Sequence, residues 1–265
     1  MNTREFKCVD LLKDMIENDG LIGIKTSFED EGASFDETIR LKEVCNQAGT
    51  KLTLKIGGPE AIRDMKDALI IGIKGMVAPM VESPFALKKF IQAAETHIPQ
   101  DSLKSIQVGV NIETVTAVNE INSILALPEA DRLYSITVGR VDLVSSMNKN
   151  REYVNSPEIY DMVKRVFLKA KTKNLKLCIG GAISIDSLEF LKGLHSEGFL
   201  DKFETRYAIY DPSIALKNLS KSLSKGQMFE YEWLQCKHEH YTQLANQDIK
   251  RIQMIQDRIN QSILQ

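Results

Sequence analysis

Acidic residues follow four of the short β-rich apolar runs in the sequence, at the point where each run ends. They are Glu29, Asp30 and Glu31 after the first run, Glu82 after the third, Glu113 after the fourth and Asp142 after the fifth. If these runs are parallel strands, the carboxylates meet at one edge of the sheet, where they repel one another unless a cation offsets them. Mg²⁺ binds carboxylate oxygens together with water and substrate oxygens. Glu113 and Asp142, from consecutive strands, therefore predict a Mg²⁺ or Mn²⁺ site, with solvated rim acids as the alternative.

Basic residues lie at two of the same strand ends. Lys55 closes the second run, in LTLKIGG, and Arg140 follows Gly139 at the end of the fifth. Lys55 is a candidate catalytic and substrate-binding residue, and a Schiff base on its amine is one possibility, although nearby carboxylates raise rather than lower a lysine pKa. Gly139 and Arg140 are candidates to bind a substrate carboxylate or phosphate. Arg140 could equally pair with an acid at the rim.

The elements that must position these residues alternate between strand and helix. Seven apolar runs read as strands, at 21–25, 51–56, 75–80, 106–112, 133–138, 175–179 and 206–210. Segments of helical period separate them, at 35–48, 59–69, 84–94, 117–125, 157–170 and 184–194. This alternation, with no GxGxxG after the first strand, predicts a TIM-type (β/α)8 barrel, whose active site forms at the carboxyl ends of the strands.

The strand count is one short of a full barrel, so we expect the barrel to be incomplete or irregular at the first strand. Either the N-terminal segment supplies the missing strand irregularly or another part of the chain completes the barrel. Asn111 lies two residues before Glu113 and so faces the same side of its strand. Arg206, at the start of the last run, is expected to point into the base of the barrel.

The C-terminal part of the chain changes character near residue 220. The segment SKSLSKG, residues 220–226, is typical of a polar connector that ends at glycine, and a long helix follows it. We therefore divide the chain into a barrel domain, residues 1–222, and a helical extension, residues 223–265. Apolar residues at three- and four-residue spacing run along this extension at Tyr241, Leu244, Ile249, Ile252, Ile255, Ile259 and Ile263. The extension either packs on its own barrel or docks on a second subunit.

Composition excludes several classes of function. Thirty-four basic residues against 36 acidic ones give a net charge of −2, which provides no positive field for nucleic acid. No apolar run approaches the ~20 residues that span a bilayer, and the charged N-terminus does not resemble a signal peptide. The four cysteines are far apart and form no CxxC, which suits a reducing compartment. We expect a cytoplasmic protein with no nucleic-acid or membrane partner.

The segment GVNIETVTAVNEINSILALPEADRLYSITVGRVDLVSSM, residues 109–147, resembles the HpcH/HpaI aldolase and citrate lyase family of phosphoenolpyruvate/pyruvate-binding barrels. It contains the family's IET and its G-x-x-D-L, and upstream GIKGMVAPMVESPFALKKFIQAAE resembles the family's P-x-V-E strand end with its helix. The likeness covers roughly residues 20–212. It implies that Glu113 and Asp142 ligate Mg²⁺ or Mn²⁺, and that the metal chelates a pyruvate-like 2-oxo acid so that its enolate forms.

Two positions depart from the aldolase pattern. Lys55 stands where those aldolases have an arginine that neutralises the enolate. A lysine supplies the positive charge but not the two parallel N–H donors with which an arginine binds a carboxylate. Glu31, in Asp30-Glu31-Gly32, stands where those aldolases have the histidine of a Glu-His-Gly motif, which is their supposed base. Glu31 is therefore our candidate base. The alternative is that it is a solvated acid of the loop.

The resulting hypothesis is a homo-oligomeric, metal-dependent carbon–carbon lyase or aldolase. Its expected substrates are a small 2-oxo acid and an aldehyde or acyl partner, with an acyl-CoA related substrate as a variant. The alternatives are a metal-free Schiff-base aldolase that uses Lys55, and a non-catalytic barrel subunit for binding or assembly.

Overall fold

Eight short strands close into a barrel in the computed structural model, which describes residues 1–263. The strands are β1 (Leu21–Ser27), β2 (Leu52–Lys55), β3 (Gly75–Ala78), β4 (Gln107–Ile112), β5 (Ser135–Gly139), β6 (Lys176–Gly180), β7 (Lys202–Glu204) and β8 (Ala208–Tyr210). The strands pair in sequence order and β8 closes the ring against β1. The predicted barrel is confirmed, and each of the seven predicted strands coincides with one of the eight.

The last strand runs against the others. Pairs from β1 to β7 are parallel, whereas β8 is antiparallel to both β7 and β1. The strand that sequence analysis missed is β7, which a short turn joins to β8, and the N-terminal segment forms a helix instead. The predicted irregularity at the first strand is a register shift between Leu21 and Gly23, where β1 meets β8. Because β8 is reversed, its amino end lies beside the carboxyl ends of the other strands.

Helices surround the barrel. They are α1 (Thr3–Asn18), α2 (Phe35–Ala48), α3 (Ile62–Ile71), α4 (Pro84–His97), α5 (Gln100–Lys104), α6 (Val115–Asn119), α7 (Ile121–Ala126), α8 (Arg140–Ser146), α9 (Pro157–Lys171), α10 (Leu188–Ser196), α11 (Pro212–Ala215) and α12 (Leu219–Ile263). The predicted bounds of α2 are confirmed because both ends carry explicit signals. Ser34 and Glu37 form a capping box, and Gly49 ends the helix in the left-handed conformation with φ of 76°.

Small polar side chains pack against glycines of neighbouring strands at two places in the barrel. A Cβ atom at Gly75 would lie 2.5 Å from Thr53 Oγ1, and one at Gly109 would lie 2.7 Å from Ser135 Oγ. These glycines therefore allow side chains of β2 and β5 to pack closely against the backbones of β3 and β4.

The predicted connector at 220–226 is wrong, because α12 runs unbroken through it. Tyr210 donates a hydrogen bond from its hydroxyl to the Ser222 carbonyl, and a Cβ at Gly226 would lie 2.5 Å from that hydroxyl oxygen. Gly226 thus permits close packing on β8 rather than ending a segment. Beyond, Phe229 and Trp233 are buried and α12 packs along α1.

From Glu239 to Ser262 every described side chain of α12 is exposed. The side chain of Ile263 and residues 264–265 lie outside the described part, so the end of the predicted stripe is not covered. None of the helices within residues 1–263 is long and apolar enough to cross a membrane.

Candidate active site

A cleft of about 470 Å³ opens at the carboxyl ends of β1 to β7. Seven carboxylates and four cationic side chains line it, together with glycines from β5 and β6 and residues of α12. Glu31, Lys55, Glu113, Gly139 and Asp142, all predicted from the sequence, are brought together here. The excess of carboxylates makes this the site at which a bound cation would be most favourable.

Glu113 is fixed deep in the cleft by two hydrogen bonds. The Met80 backbone N–H donates to Oε1 at 2.9 Å, and the Asn111 amide donates to Oε2 at 3.1 Å. Burial raises the pKa of Glu113, and the neighbouring charge of Asp142 raises it further, against the lowering effects of Met80, Lys55 and Asn111. Met80 adopts the left-handed conformation with φ of 52°, uncommon for a residue that is not glycine, and its N–H is directed at the carboxylate.

Gly139 makes room for this carboxylate. A Cβ atom at Gly139 would lie 2.6 Å from Glu113 Oε2 and 3.0 Å from Glu113 Cβ, closer than real Cβ atoms approach. Sequence analysis placed Gly139 among the substrate-binding residues; the contact that the structure shows is with Glu113.

Asp142 lies in the first turn of α8 and faces the same cleft. Burial raises its pKa, the charge of Lys55 lowers it, and the nearby charges of Glu29 and Asp30 raise it again. The two carboxylates predicted to share an ion are thus both destabilised in their charged form. A divalent cation between them would relieve this.

Lys55 reaches the acidic loop after β1. Its Nζ lies 2.6 Å from Glu29 Oε2 and 3.4 Å from Asp30 Oδ1. Burial by itself lowers the pKa of Lys55, but the hydrogen bond with Glu29 and the charges of Asp30, Glu29 and Glu113 outweigh it, so the pKa lies above its ordinary value. An ammonium held in this way suits charge stabilisation and disfavours the free amine that a Schiff base requires.

Glu31 is almost fully buried, with 4% of its side chain exposed, and is not the solvated loop acid of the alternative reading. It accepts a hydrogen bond from Thr26 Oγ1 at 3.2 Å and lies 3.7 Å from Arg206 Nε. Burial raises the pKa of Glu31, outweighing the charge of Arg206, which lowers it. Arg206 therefore lies at the mouth and not at the base of the barrel, because β8 is reversed.

Arg140 points away from the cleft, which argues against its predicted contact with substrate. Its side chain is fully buried and donates to the carbonyls of Gly180, Gly181 and Val154 and to Asn155 Oδ1. The guanidinium carbon also lies 4.9 Å from the centre of the Phe190 ring. Burial without a carboxylate partner lowers the pKa of Arg140 to about 10. The residue secures the loop after β6.

The residues present fit a divalent ion held by two carboxylates. Asn111 Oδ1 is buried without a hydrogen-bond partner, so the deep end of the cleft has an oxygen left unsatisfied beside Glu113. Within residues 1–263 no three histidine, cysteine or acidic side chains converge as a closed metal cage. Such a site would leave most coordination positions to water and substrate, as Mg²⁺ prefers.

Residues of β1, β7 and α12 also line the cleft, although sequence analysis did not assign them to the site. Lys25 from β1 and Glu204 from β7 form an ion pair in the cleft, and Gln227 and Glu230 of α12 line its outer wall. Sequence analysis could have included Lys25, because it lies two residues before Ser27, the last residue of β1, and therefore faces the same side of the strand. The contribution of α12 has no sequence signal, because it depends on the reversed β8.

The fold and the cleft together define a barrel protein with an acidic pocket at the carboxyl ends of its strands, the arrangement that barrel enzymes use. The family model for HpcH/HpaI aldolase/citrate lyase matches residues 46–189, more than half of the chain. The chain therefore belongs to the HpcH/HpaI aldolase/citrate lyase family. No curated protein matches the chain.

Solved structures support the fold. An HpcH/HpaI aldolase from Desulfitobacterium hafniense DCB-2 is 17% identical, with a TM-score of 0.59 over 73% of this chain and 88% of its own. A citrate synthase, SbnG, is 16% identical, with a TM-score of 0.58 over 82% of this chain and 97% of its own. A family member from Burkholderia cenocepacia J2315 is 15% identical, with a TM-score of 0.56 over 82% of this chain and 98% of its own.

Proposed function

We propose that this protein is a divalent-metal-dependent carbon–carbon lyase or aldolase that acts through the enolate of a pyruvate-like 2-oxo acid. One observation carries the proposal: Glu113 and Asp142 face one cleft, each with its charged form disfavoured by burial, in a pocket where carboxylates outnumber cations. Membership of the family supports carbon–carbon lyase chemistry. Mg²⁺ or Mn²⁺ is the proposed cofactor.

Four cleft residues have defined tasks in this proposal. Glu113 and Asp142 hold the metal, which when bound withdraws electrons from the carbonyl and stabilises the enolate. Lys55, protonated and anchored by Glu29, offsets the negative charge of the substrate. Glu31 has a raised pKa and removes or returns the proton at the carbon next to the carbonyl.

The proposed substrates are a small 2-oxo acid and an aldehyde or acyl partner, and an acyl-CoA related substrate is the variant within the same chemistry. We further propose that the protein works in the cytoplasm. Its four cysteines are free thiols and all are buried, which suits a reducing compartment.

Two measurements on matched proteins test the proposal. Mn²⁺ should bind the wild type and bind Glu113→Gln at least about tenfold more weakly, since one of two charged ligands is lost. With Mg²⁺, the wild type should exchange the methyl protons of pyruvate for deuterium in D₂O, and EDTA should abolish the exchange. Lys104→Gln, at an exposed pair with Asp101, is the control that should change neither property.

The alternatives give opposite results. A Schiff-base aldolase would be trapped on Lys55 by borohydride and would keep its activity in EDTA. A non-catalytic barrel would show neither carboxylate-dependent metal binding nor proton exchange. Either result would overturn the proposal.

A further inference from the structure

Two side chains of α12 bind one carboxylate of α2. The Tyr241 hydroxyl donates a hydrogen bond to Glu37 Oε1 at 2.7 Å, and Lys237 Nζ lies 3.1 Å from the same oxygen. Only 11% of the Glu37 side chain and 21% of the Lys237 side chain are exposed. Lys237 and Tyr241 are four residues apart, so they are neighbours on the surface of α12 and reach Glu37 together. We call these three residues the clasp.

The Glu37 carboxylate also fixes the start of α2. Its second oxygen, Oε2, accepts a hydrogen bond from the Ser34 N–H at 3.0 Å, and Ser34 Oγ accepts one from the Glu37 N–H at 3.2 Å. Burial raises the pKa of Glu37, but the hydrogen bonds that the carboxylate accepts outweigh burial, so the pKa lies below its ordinary value. The carboxylate is therefore charged, which strengthens each of these hydrogen bonds.

Ser34 ends the loop that carries the acidic residues after β1. This loop, residues 28–33, is anchored at its other end by Ser27. The Oγ of Ser27 accepts hydrogen bonds from two N–H groups of the loop at 3.1 and 3.2 Å, and its carbonyl accepts one from a third at 3.2 Å. The loop is thus held by β1 at one end and by the capping box of α2 at the other, and the clasp joins that capping box to α12.

The same helix supports the opposite side of Glu31. The Phe229 ring of α12 packs edge to face on the Tyr207 ring, with 6.2 Å between the ring centres. Arg206, the residue before Tyr207, lies with Nε 3.7 Å from Glu31 Oε1. One helix therefore contacts both the segment before β8 and, through Glu37, the loop that carries Glu31.

We propose that Lys237 and Tyr241 are positioning residues for Glu31, because through Glu37 they hold the loop after β1 in place. The inference rests on the proposed lyase function, in which Glu31 moves the proton at the carbon next to the carbonyl. Neither residue of α12 lines the cleft, so neither touches the reacting atoms. Their effect is confined to the loop, and the proposed metal ligands are held by other elements.

The test uses the full chain with Lys237→Met/Tyr241→Phe, which removes the polar contacts and keeps most of both side chains. Amide hydrogen exchange of residues 28–34, followed by mass spectrometry, should become about tenfold faster because the loop opens more often. With Mg²⁺, kcat for deuterium exchange at pyruvate should fall about tenfold, since a misplaced base loses rate. KM for pyruvate and the affinity for Mn²⁺ should stay at wild-type values, because Glu113 and Asp142 do not depend on the clasp.

The matched control is Arg4→Met/Glu239→Gln. It breaks an ion pair with Nε and Oε1 2.5 Å apart, which joins α12 to α1 and does not involve α2. This variant should keep the wild-type amide exchange in the loop and the wild-type kcat. Lys237→Arg, which keeps a cation beside Glu37, should also keep both. A merely structural role would not separate kcat from KM in this way.

The remaining outcomes are decisive as well. Unchanged amide exchange in the loop of Lys237→Met/Tyr241→Phe would overturn the inference, and so would faster amide exchange with an unchanged kcat. A wild type that exchanges no protons of pyruvate would reject the lyase function itself, and the amide exchange would then decide whether the clasp holds the loop. Should the double variant fail to fold, Tyr241→Phe alone removes one hydrogen bond and should change both rates in the same directions by a smaller factor.

Discussion

At the scale of single residues, the position of the Glu113 carboxylate depends on the lack of a side chain at Gly139. The Gly139→Ala substitution should push Glu113 out of place, because its Cβ would lie 2.6 Å from Glu113 Oε2. We expect Mn²⁺ affinity to fall by about tenfold or more, which is ~1.4 kcal/mol of binding free energy, with the fold retained. Isothermal titration calorimetry measures this directly.

The control for that substitution is Gly58→Ala. Gly58 follows β2, and no atom lies within 4 Å of a Cβ built there. Equal Mn²⁺ affinity in Gly139→Ala and Gly58→Ala would show that Glu113 is not held by this contact.

The raised pKa of Glu113 gives a second prediction at this scale. Since the folded state binds this proton more tightly than the unfolded chain, the contribution of Glu113 to stability is greatest at low pH and falls as the pH rises from the ordinary value of 4.5 through the raised one. Glu113→Gln removes this dependence. Without metal, the melting temperature of the variant relative to wild type should therefore increase with pH over that window.

Thermal melts across the pH range, with and without Mg²⁺, check the prediction. Mg²⁺ should stabilise the wild type above the raised pKa and stabilise Glu113→Gln less at the same concentration, because stabilisation by a ligand falls as its affinity for the folded state falls. If the difference in melting temperature between Glu113→Gln and the wild type, measured without metal, stayed constant with pH, the prediction would be wrong.

Among the residues predicted from the sequence, those at strand ends were placed correctly in the cleft and Arg140 was not. Lys55 is the last residue of β2 and Glu113 directly follows β4, so barrel geometry brings both to the mouth. Asp142 reaches the same cleft from the first turn of α8. Arg140 is the first residue of α8, where the backbone turns, and sequence spacing does not fix its direction. The Lys25–Glu204 contact joins residues 179 apart in sequence, which no local pattern reports.

At the scale of elements, Arg140 fastens the end of β5 to the loop after β6 and to the turn before α9. Replacing it by methionine would leave buried carbonyls of Gly180, Gly181 and Val154 without their donor. We expect Arg140→Met to lower the free energy of unfolding by ~2–4 kcal/mol, on the usual scale for unsatisfied buried acceptors. Urea denaturation measures the change.

The comparison for Arg140 is Arg63→Met, since 92% of the Arg63 side chain is exposed. That variant should differ from wild type by less than ~0.5 kcal/mol. If Arg140→Met were equally close to wild type, the buried guanidinium would have no structural role.

Strand β7 shows why one element escaped prediction. Its sequence KFE contains a single apolar residue, because Glu204 faces the interior cleft and only Phe203 faces the surrounding core. A three-residue strand with a functional charge inside lacks the apolar run that identified the other seven. The reversed direction of β8 follows from the short turn at 205–207, which leaves no room for a helical crossover.

At the scale of the whole molecule, the part of α12 beyond Tyr241 makes no hydrogen bond or ion pair with another element of the described chain, whereas Glu239 still pairs with Arg4 and Tyr241 with Glu37. Residues 242–263 extend the helix by ~33 Å, at 1.5 Å per residue. Ile249, Ile252, Ile255 and Ile259 are each more than 40% exposed along one stripe. An isolated helix of this kind gains its stability by burying such a stripe, so we propose that it packs against a second copy of this chain.

The full-length protein should therefore have a mass of at least twice 29.9 kDa by light scattering at micromolar concentration. Ile252→Glu/Ile255→Glu should lower the measured mass to that of the monomer, because charges on the stripe oppose its burial. The melting temperature of this variant should stay at the wild-type value, because both residues lie outside the barrel. Gln253→Glu/Gln256→Glu adds the same charge to neighbouring exposed positions and should leave the mass unchanged. A wild-type mass near 29.9 kDa would show that the stripe does not join copies of this chain.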